Sequence, residues 1–125
     1  MEPPLLPCPF CSLDNVVMRN DLAYARFDSA PVNRGHLLLI PVRHEADFFS
    51  TTNAERAALL ELLQRAKLFL DEQFHPDGYN VGINAGTAAG QTIGHVHVHL
   101  IPRYRGDMQN PRGGVRGVIP AKQSY

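Results

Sequence analysis

Residues 94–102 read Gly94-His95-Val96-His97-Val98-His99-Leu100-Ile101-Pro102. Strict alternation of imidazole and apolar side chain is the pattern of a β-strand, whose successive residues point to opposite faces. The spacing predicts a strand over residues 95–101. His95, His97 and His99 then share one face, and Val96, Val98 and Leu100 share the other. Neighbours on one face lie about 6.5 to 7 Å apart, so such a row can address successive atoms of one extended ligand. The apolar face fixes the register, because a slip of one residue would bury every imidazole. Three of the chain's six histidines fall within five positions, which marks the face for chemistry rather than packing.

Two chemistries suit three imidazoles so placed. They could hold a catalytic zinc with one position open for water. Alternatively, one ring attacks phosphorus while the others donate hydrogen bonds to phosphate oxygens. The preceding loop, residues 85–94, favours the second. It is rich in glycine and alanine, and Asn84, Gly90, Gln91 and Thr92 offer amide, hydroxyl and backbone N–H groups where nothing bulky prevents an anion from approaching.

Outward from this segment, residues 79–84 read as another strand and His75-Pro76-Asp77-Gly78 as a stop. A helix precedes the stop. Thr52 and Glu55 have capping-box spacing, and Leu59, Leu62, Leu63, Ala66, Phe69 and Leu70 form one helical face. Residues 36–41 read as a short buried strand ended by proline. Residues 16–19 and 22–27 are apolar runs flanking Asn20-Asp21, the signature of a hairpin. The resulting class is α+β: one mostly antiparallel sheet with one long helix on a face and a short N-terminal arm over residues 1–14.

The chain has 125 residues, enough for one compact domain over 1–125. With 44% hydrophobic and 19% charged residues, a buried core is expected. Lys+Arg and Asp+Glu are both 12, so no global field draws the chain to nucleic acid or to a membrane surface. No apolar run approaches the roughly 18 to 20 residues of a membrane span. The proline-rich, acidic start does not fit a signal peptide, and a cytoplasmic location is expected. Cys8 and Cys11 stand alone as a Cys-Pro-Phe-Cys pair. A disulfide there would close a tiny loop and stabilise little. Half of a metal site and a redox pair are the alternatives, although nothing before Cys8 reads as the strand that a redox pair normally follows.

Residues 90–102, with Gly35-His36-Leu37-Leu38-Leu39-Ile40-Pro41 upstream, resemble the histidine triad (HIT) family, whose hallmark is His-x-His-x-His with apolar x. The resemblance extends from Cys8 to about Arg105 and is closest to bacterial members of the dinucleoside polyphosphate hydrolase branch. It implies a HIT-like fold, a homodimer, and a nucleotide hydrolase acting on adenosine-type dinucleoside polyphosphates. His97 would attack the α-phosphorus and form a nucleotidyl-histidine intermediate that water hydrolyses. His99 and His36 would contact the phosphate or orient the nucleophile and leaving group. Asp28 falls where the family holds the ribose hydroxyls. Asn84, Gly90, Gln91 and Thr92 match its phosphate contacts, and Phe10 and Leu38 its base pocket. A neutral imidazole with the usual pKa of about 6.5 is a competent nucleophile near neutral pH. Its second nitrogen must carry a proton tied to an acceptor, for which a nearby backbone carbonyl would serve.

Some members carry an early Cys-x-x-Cys completed by a His after the Ile-Pro strand and by the first triad His. Here that implies a structural zinc on Cys8, Cys11, His44 and His95, with no organic cofactor. The absence of tryptophan argues against the phosphoramidase branch, which ends in a Trp-containing tail. Phosphoramidase activity, a zinc-dependent hydrolase using His95, His97 and His99, and a nucleotide-binding regulator are the competing readings. The stretch 103–125 reads as an irregular tail. Arg103, Arg105, Arg112, Arg116 and Lys122 face the single anion Asp107 in it. These cations are expected to be solvated, or else to gather a polyanionic substrate. Arg105-Gly106-Asp107 is read as a chance match to an adhesion motif.

Overall fold

A computed structural model describes residues 8–125; the part of the N-terminal arm before Cys8 lies outside the described residues. The sheet has five antiparallel strands: β1 (Met18–Arg19), β2 (Ala23–Phe27), β3 (Leu37–Pro41), β4 (Gly78–Ile83) and β5 (Val98–Arg103), in the order β1-β2-β3-β5-β4. One helix, α1 (Asn53–Phe74), packs on one face against β2, β3 and β5.

The expected hairpin forms, and Asn20 closes it. Its side-chain oxygen accepts from the backbone N–H of Leu22 and Ala23. β3 is buried along its whole length, because both its faces are covered. Leu37 and Leu39 meet α1 in a core with Leu62, Leu70, Val98 and Leu100. Leu38 and Ile40 point the other way and join Phe10 and Tyr24 in a second cluster. The Tyr24 hydroxyl donates to the Phe10 carbonyl, which pins the described end of the arm to the sheet.

The capping box of α1 is present in both directions between Thr52 and Glu55. Leu59, Leu62, Ala66 and Leu70 form its buried stripe, with Leu63 and Phe69 half-buried against it. The helix ends at His75, which takes the left-handed conformation (φ 51°) before Pro76 prevents continuation. Gly35 also has positive φ (86°), and a side chain there would press on Phe74. Glycine at this turn lets the chain pass the helix end and enter β3 at His36.

Two expectations need correction. β5 begins at Val98, not His95. The β3–β5 register, Leu39 opposite Val98, would bring Val96 opposite Pro41. Pro41 has no N–H to contribute to a ladder, and the Val96 N–H donates instead to the Glu45 carbonyl. His95 and His97 therefore sit on an approach segment, and His99 alone of the three lies in the strand. Second, the stretch after Arg103 is not irregular throughout, since it contains short 3₁₀ helices at Gly114–Val118 and Pro120–Lys122. No helix among the described residues is long and apolar enough to cross a membrane.

Candidate active site

The histidines meet on the sheet face opposite α1. β3 presents Leu38 and β5 presents His99 at paired positions, and the His97 and His99 rings lie 5.1 Å apart, edge to face. Phe10 stands edge-on to His97 at 5.0 Å. These groups line a cavity of about 360 Å³. Asp28, Asn84, Gly90 and Thr92 share its wall, so the expected phosphate and ribose positions converge on the triad. Phe10 and Leu38 supply its apolar side. Arg26 also lines the cavity, with its guanidinium 5.8 Å from the Phe10 ring centre. Sequence reading missed Arg26. The signal available was a cation at the same strand parity as the buried Tyr24.

Hydrogen bonds fix which nitrogen carries each proton. The Val32 N–H donates to His36 Nδ1 (3.0 Å), so the proton of the neutral His36 ring sits on Nε2. That Nε2–H faces His99 Nδ1 at 2.9 Å, with an Asp28 carboxylate oxygen 3.5 Å away. His99 Nδ1 is therefore an acceptor, and its remaining proton is on Nε2. His97 Nδ1 lies 2.9 Å from the His95 carbonyl and must donate to it, leaving an unshared pair on His97 Nε2. This is the backbone acceptor that a nucleophilic imidazole requires. Burial holds His36 and His99 below the usual imidazole pKa. Asp28 opposes the shift at both, while the neighbouring His97 and His36 deepen it at His99. The relay from His36 to His99 is accordingly neutral.

Two expected residues lie elsewhere. His36 is buried (2% exposed) behind His99 rather than in the cavity beside His97. Gln91 is occupied by backbone: its Oε1 accepts from the Gly86 N–H, and its Nε2 donates to the Ala46 and Ile93 carbonyls. It ties the glycine-rich loop to the segment around His44 and does not line the cavity. The tail cations are also elsewhere. Arg103 is held by Asp107 and Asn80, Arg105 lies 3.9 Å from Asp77, and Arg112 and Arg116 stack on Tyr125. None of them lines the cavity beside the triad.

Cys8, Cys11, His44 and His95 come together with their ligand atoms within 4.8 Å of one another. His95 Nδ1 is 3.3 Å from Cys8 Sγ, and His44 Nδ1 is 3.2 Å from Cys11 Sγ. His95 Nε2–H donates to the Pro41 carbonyl, which directs the Nδ1 lone pair at the thiols. Both cysteines are free, so the disulfide alternative is not realised. Two sulfurs and two imidazole nitrogens form a set suited to tetrahedral zinc. His95, His97 and His99 do not form a metal group among the described residues. His95 faces the cysteines, and His97 Nδ1 is held by backbone. Asp28, His36 and His99 do lie close enough to be a second candidate, but the protonated Nε2 of His36 makes them a hydrogen-bond relay.

The family model described as "HIT domain" matches residues 12–106. The chain is 40% identical over 93 residues to an AP-4-A phosphorylase of Mycobacterium tuberculosis, covering 74% of this chain and 48% of that one. It is 31% identical over 106 residues to a bis(5'-adenosyl)-triphosphatase of Saccharomyces cerevisiae, covering 84% and 52%. It thus spans about half the length of each of these two relatives. Among solved structures, a Zn-bound histidine triad family protein from Mycobacterium smegmatis superposes with a TM-score of 0.74 at 33% identity, covering 82% of this chain and 79% of that one. Motif, fold and family match agree, and the chain belongs to the HIT family.

Proposed function

We propose that this protein is a nucleotide hydrolase that cleaves at the α-phosphorus of adenosine-type dinucleoside polyphosphates through a covalent nucleotidyl-His97 intermediate. The observation that carries the reading is the His97 ring itself. Its Nδ1–H is held by the His95 carbonyl, leaving the Nε2 pair for attack in a cavity that also contains Asp28, Asn84 and Thr92. The Nε2 pair forms a nitrogen–phosphorus bond as the bond to the leaving oxygen breaks. A phosphate leaving group departs as an anion and needs no proton. The Nε2–H of His99 donates a hydrogen bond to the charge that develops on oxygen. Water then attacks phosphorus, the nitrogen–phosphorus bond breaks, and His97 is regenerated neutral as one proton passes to solvent. The names of the phosphorylase and triphosphatase relatives support the substrate class.

Cys8, Cys11, His44 and His95 would hold a structural zinc, because all four positions are filled by protein. Bound there, the ion would fix the segment that carries His95 and hence the carbonyl orienting His97. The protein would act as a homodimer. Among the described residues β4 is an unpaired sheet edge, and Leu60 (68% exposed), Leu68 (58%) and Val81 (42%) form an apolar surface beside it.

The test is incubation of wild type and His97→Gly with a panel of adenylated anhydrides and phosphoramidates, followed by mass spectrometry of the intact protein and its triad peptide. An adenylyl adduct on His97 in wild type, absent from His97→Gly, is expected. Turnover that a chelator abolishes, with no adduct on His97, would overturn the covalent route in favour of metal-bound water. Relative rates across the panel separate polyphosphate hydrolysis from phosphoramidase activity.

A further inference from the structure

Arg26 takes no part in the chemistry described above. It is nevertheless the one lysine or arginine, among the described residues, that lines the cavity holding His97. It lies half-buried in β2. Strand register places it in a row across the sheet, with Arg26 opposite Leu38 and Leu38 opposite His99. Two strand spacings of about 4.8 Å each therefore separate the Arg26 and His99 backbones. Arg26 stands back from the reacting phosphorus, on the side of the cavity that Phe10, Leu38 and Ile93 make apolar.

No ion pair accounts for a guanidinium in that position. Among the described residues no carboxylate pairs with it. The acceptors beside it are the Pro9 carbonyl, at a long 3.5 Å, and the Tyr24 hydroxyl. Its centre lies 5.8 Å from the Phe10 ring centre, which holds it against the apolar wall. Arginine carries five N–H donors in a planar fork and no acceptor, so most of the fork is left for a ligand. An apolar slot with paired donors at its rim selects a flat heterocycle whose edge carries two acceptors. Guanine presents N7 and O6 together and takes the fork bidentately. Adenine keeps N7 but turns its amine toward the fork, donor against donor.

We propose that Arg26 is a specificity residue that donates its paired N–H groups to N7 and O6 of guanine, so that the nucleotidyl half reaching His97 is preferentially a guanylate. The inference rests on the catalytic reading above and names the base that the same site selects. Adenine still enters through N7, so adenosine dinucleotides react. In a mixed dinucleotide the guanosine end is the half transferred. The bond from its phosphorus to the bridging oxygen breaks, ADP leaves, and water releases GMP from His97.

The experiment has two arms, each run on wild type, Arg26→Leu and Arg26→Lys. The first measures GMP and AMP binding by calorimetry, which needs no turnover. Wild type is expected to bind GMP about tenfold more tightly than AMP. Arg26→Leu should bring the ratio close to one by weakening GMP, and Arg26→Lys should lose most of it, because an ammonium keeps the charge without the fork. The second arm hydrolyses adenosine-triphospho-guanosine and compares GMP plus ADP with AMP plus GDP. Wild type should favour GMP plus ADP by a similar factor, and Arg26→Leu should yield the two pairs about equally. Wild type that binds GMP no more tightly than AMP, or not at all, would overturn the proposal. So would a ratio unchanged in Arg26→Leu, or a variant that weakens both nucleotides alike, the result of a phosphate contact or a structural role. Absence of a His97 adduct and of turnover would register separately, as failure of the catalytic reading, because the binding ratio answers for Arg26 without it.

Discussion

Glu55→Gln probes the joint between the helix and the metal-ligand segment. Glu55 closes the capping box on Thr52 and receives two hydrogen bonds from Arg43, the residue before His44. The Arg43 guanidinium, then burial working against it, then the Thr52 N–H set the Glu55 carboxyl, which is lowered from 4.5 to about 2. At about 1.36 kcal/mol per unit, an undiminished shift would correspond to roughly 3 kcal/mol. The Arg43 side chain is 49% exposed, so solvent screening reduces this to about 1 to 2 kcal/mol. The folded-state pKa is depressed, so the contribution is fully present above about 4.5 and is lost as pH falls through about 2. Urea unfolding of wild type and Glu55→Gln should therefore differ by about 1 to 2 kcal/mol at pH 7, and the difference should shrink steadily between pH 4.5 and 2. A difference that stays constant from pH 7 to 2.5 would refute the lowering of the Glu55 carboxyl by its Arg43 and Thr52 partners.

Three further outcomes are expected. In proton NMR titrations, His36 and His99 should titrate below the unfolded value of about 6.5, because burial disfavours their charged forms. Their contribution makes stability fall as pH drops below about 6.5, and a midpoint at or above that value for either ring would contradict the neutral relay. Cys8→Ser should lower zinc from about one equivalent per chain to a small fraction, measured by elemental analysis, with a lower melting temperature; unchanged zinc content would exclude the four-residue site. Leu68→Asp places a charge on the exposed apolar face of α1 and should convert a dimer to monomer in light scattering. An unaltered mass would mean that this face is not the interface.

Much of the fold was legible because its signals are local. The alternation over residues 94–102, the Thr52–Glu55 box and the helical stripe from Leu59 to Leu70 depend on side-chain direction within a few residues, which nearest-neighbour sterics fix. The same alternation, with the family resemblance, pointed to His97 and to the residues of its cavity. Other features depend on which distant groups come into contact, and only the tertiary structure decided them. Val32 sets the proton on His36 and hence on His99. Pro41 and Glu45, from a different part of the chain, determine where the histidine strand begins. Gln91 has the composition of a phosphate ligand, yet three backbone groups claim its amide. The tail arginines follow the same rule: their charge is visible in the sequence, but Asp107, Asn80 and Tyr125 determine where that charge is spent. A hydrogen-bonding side chain has several possible partners at similar free energy, and packing alone selects among them.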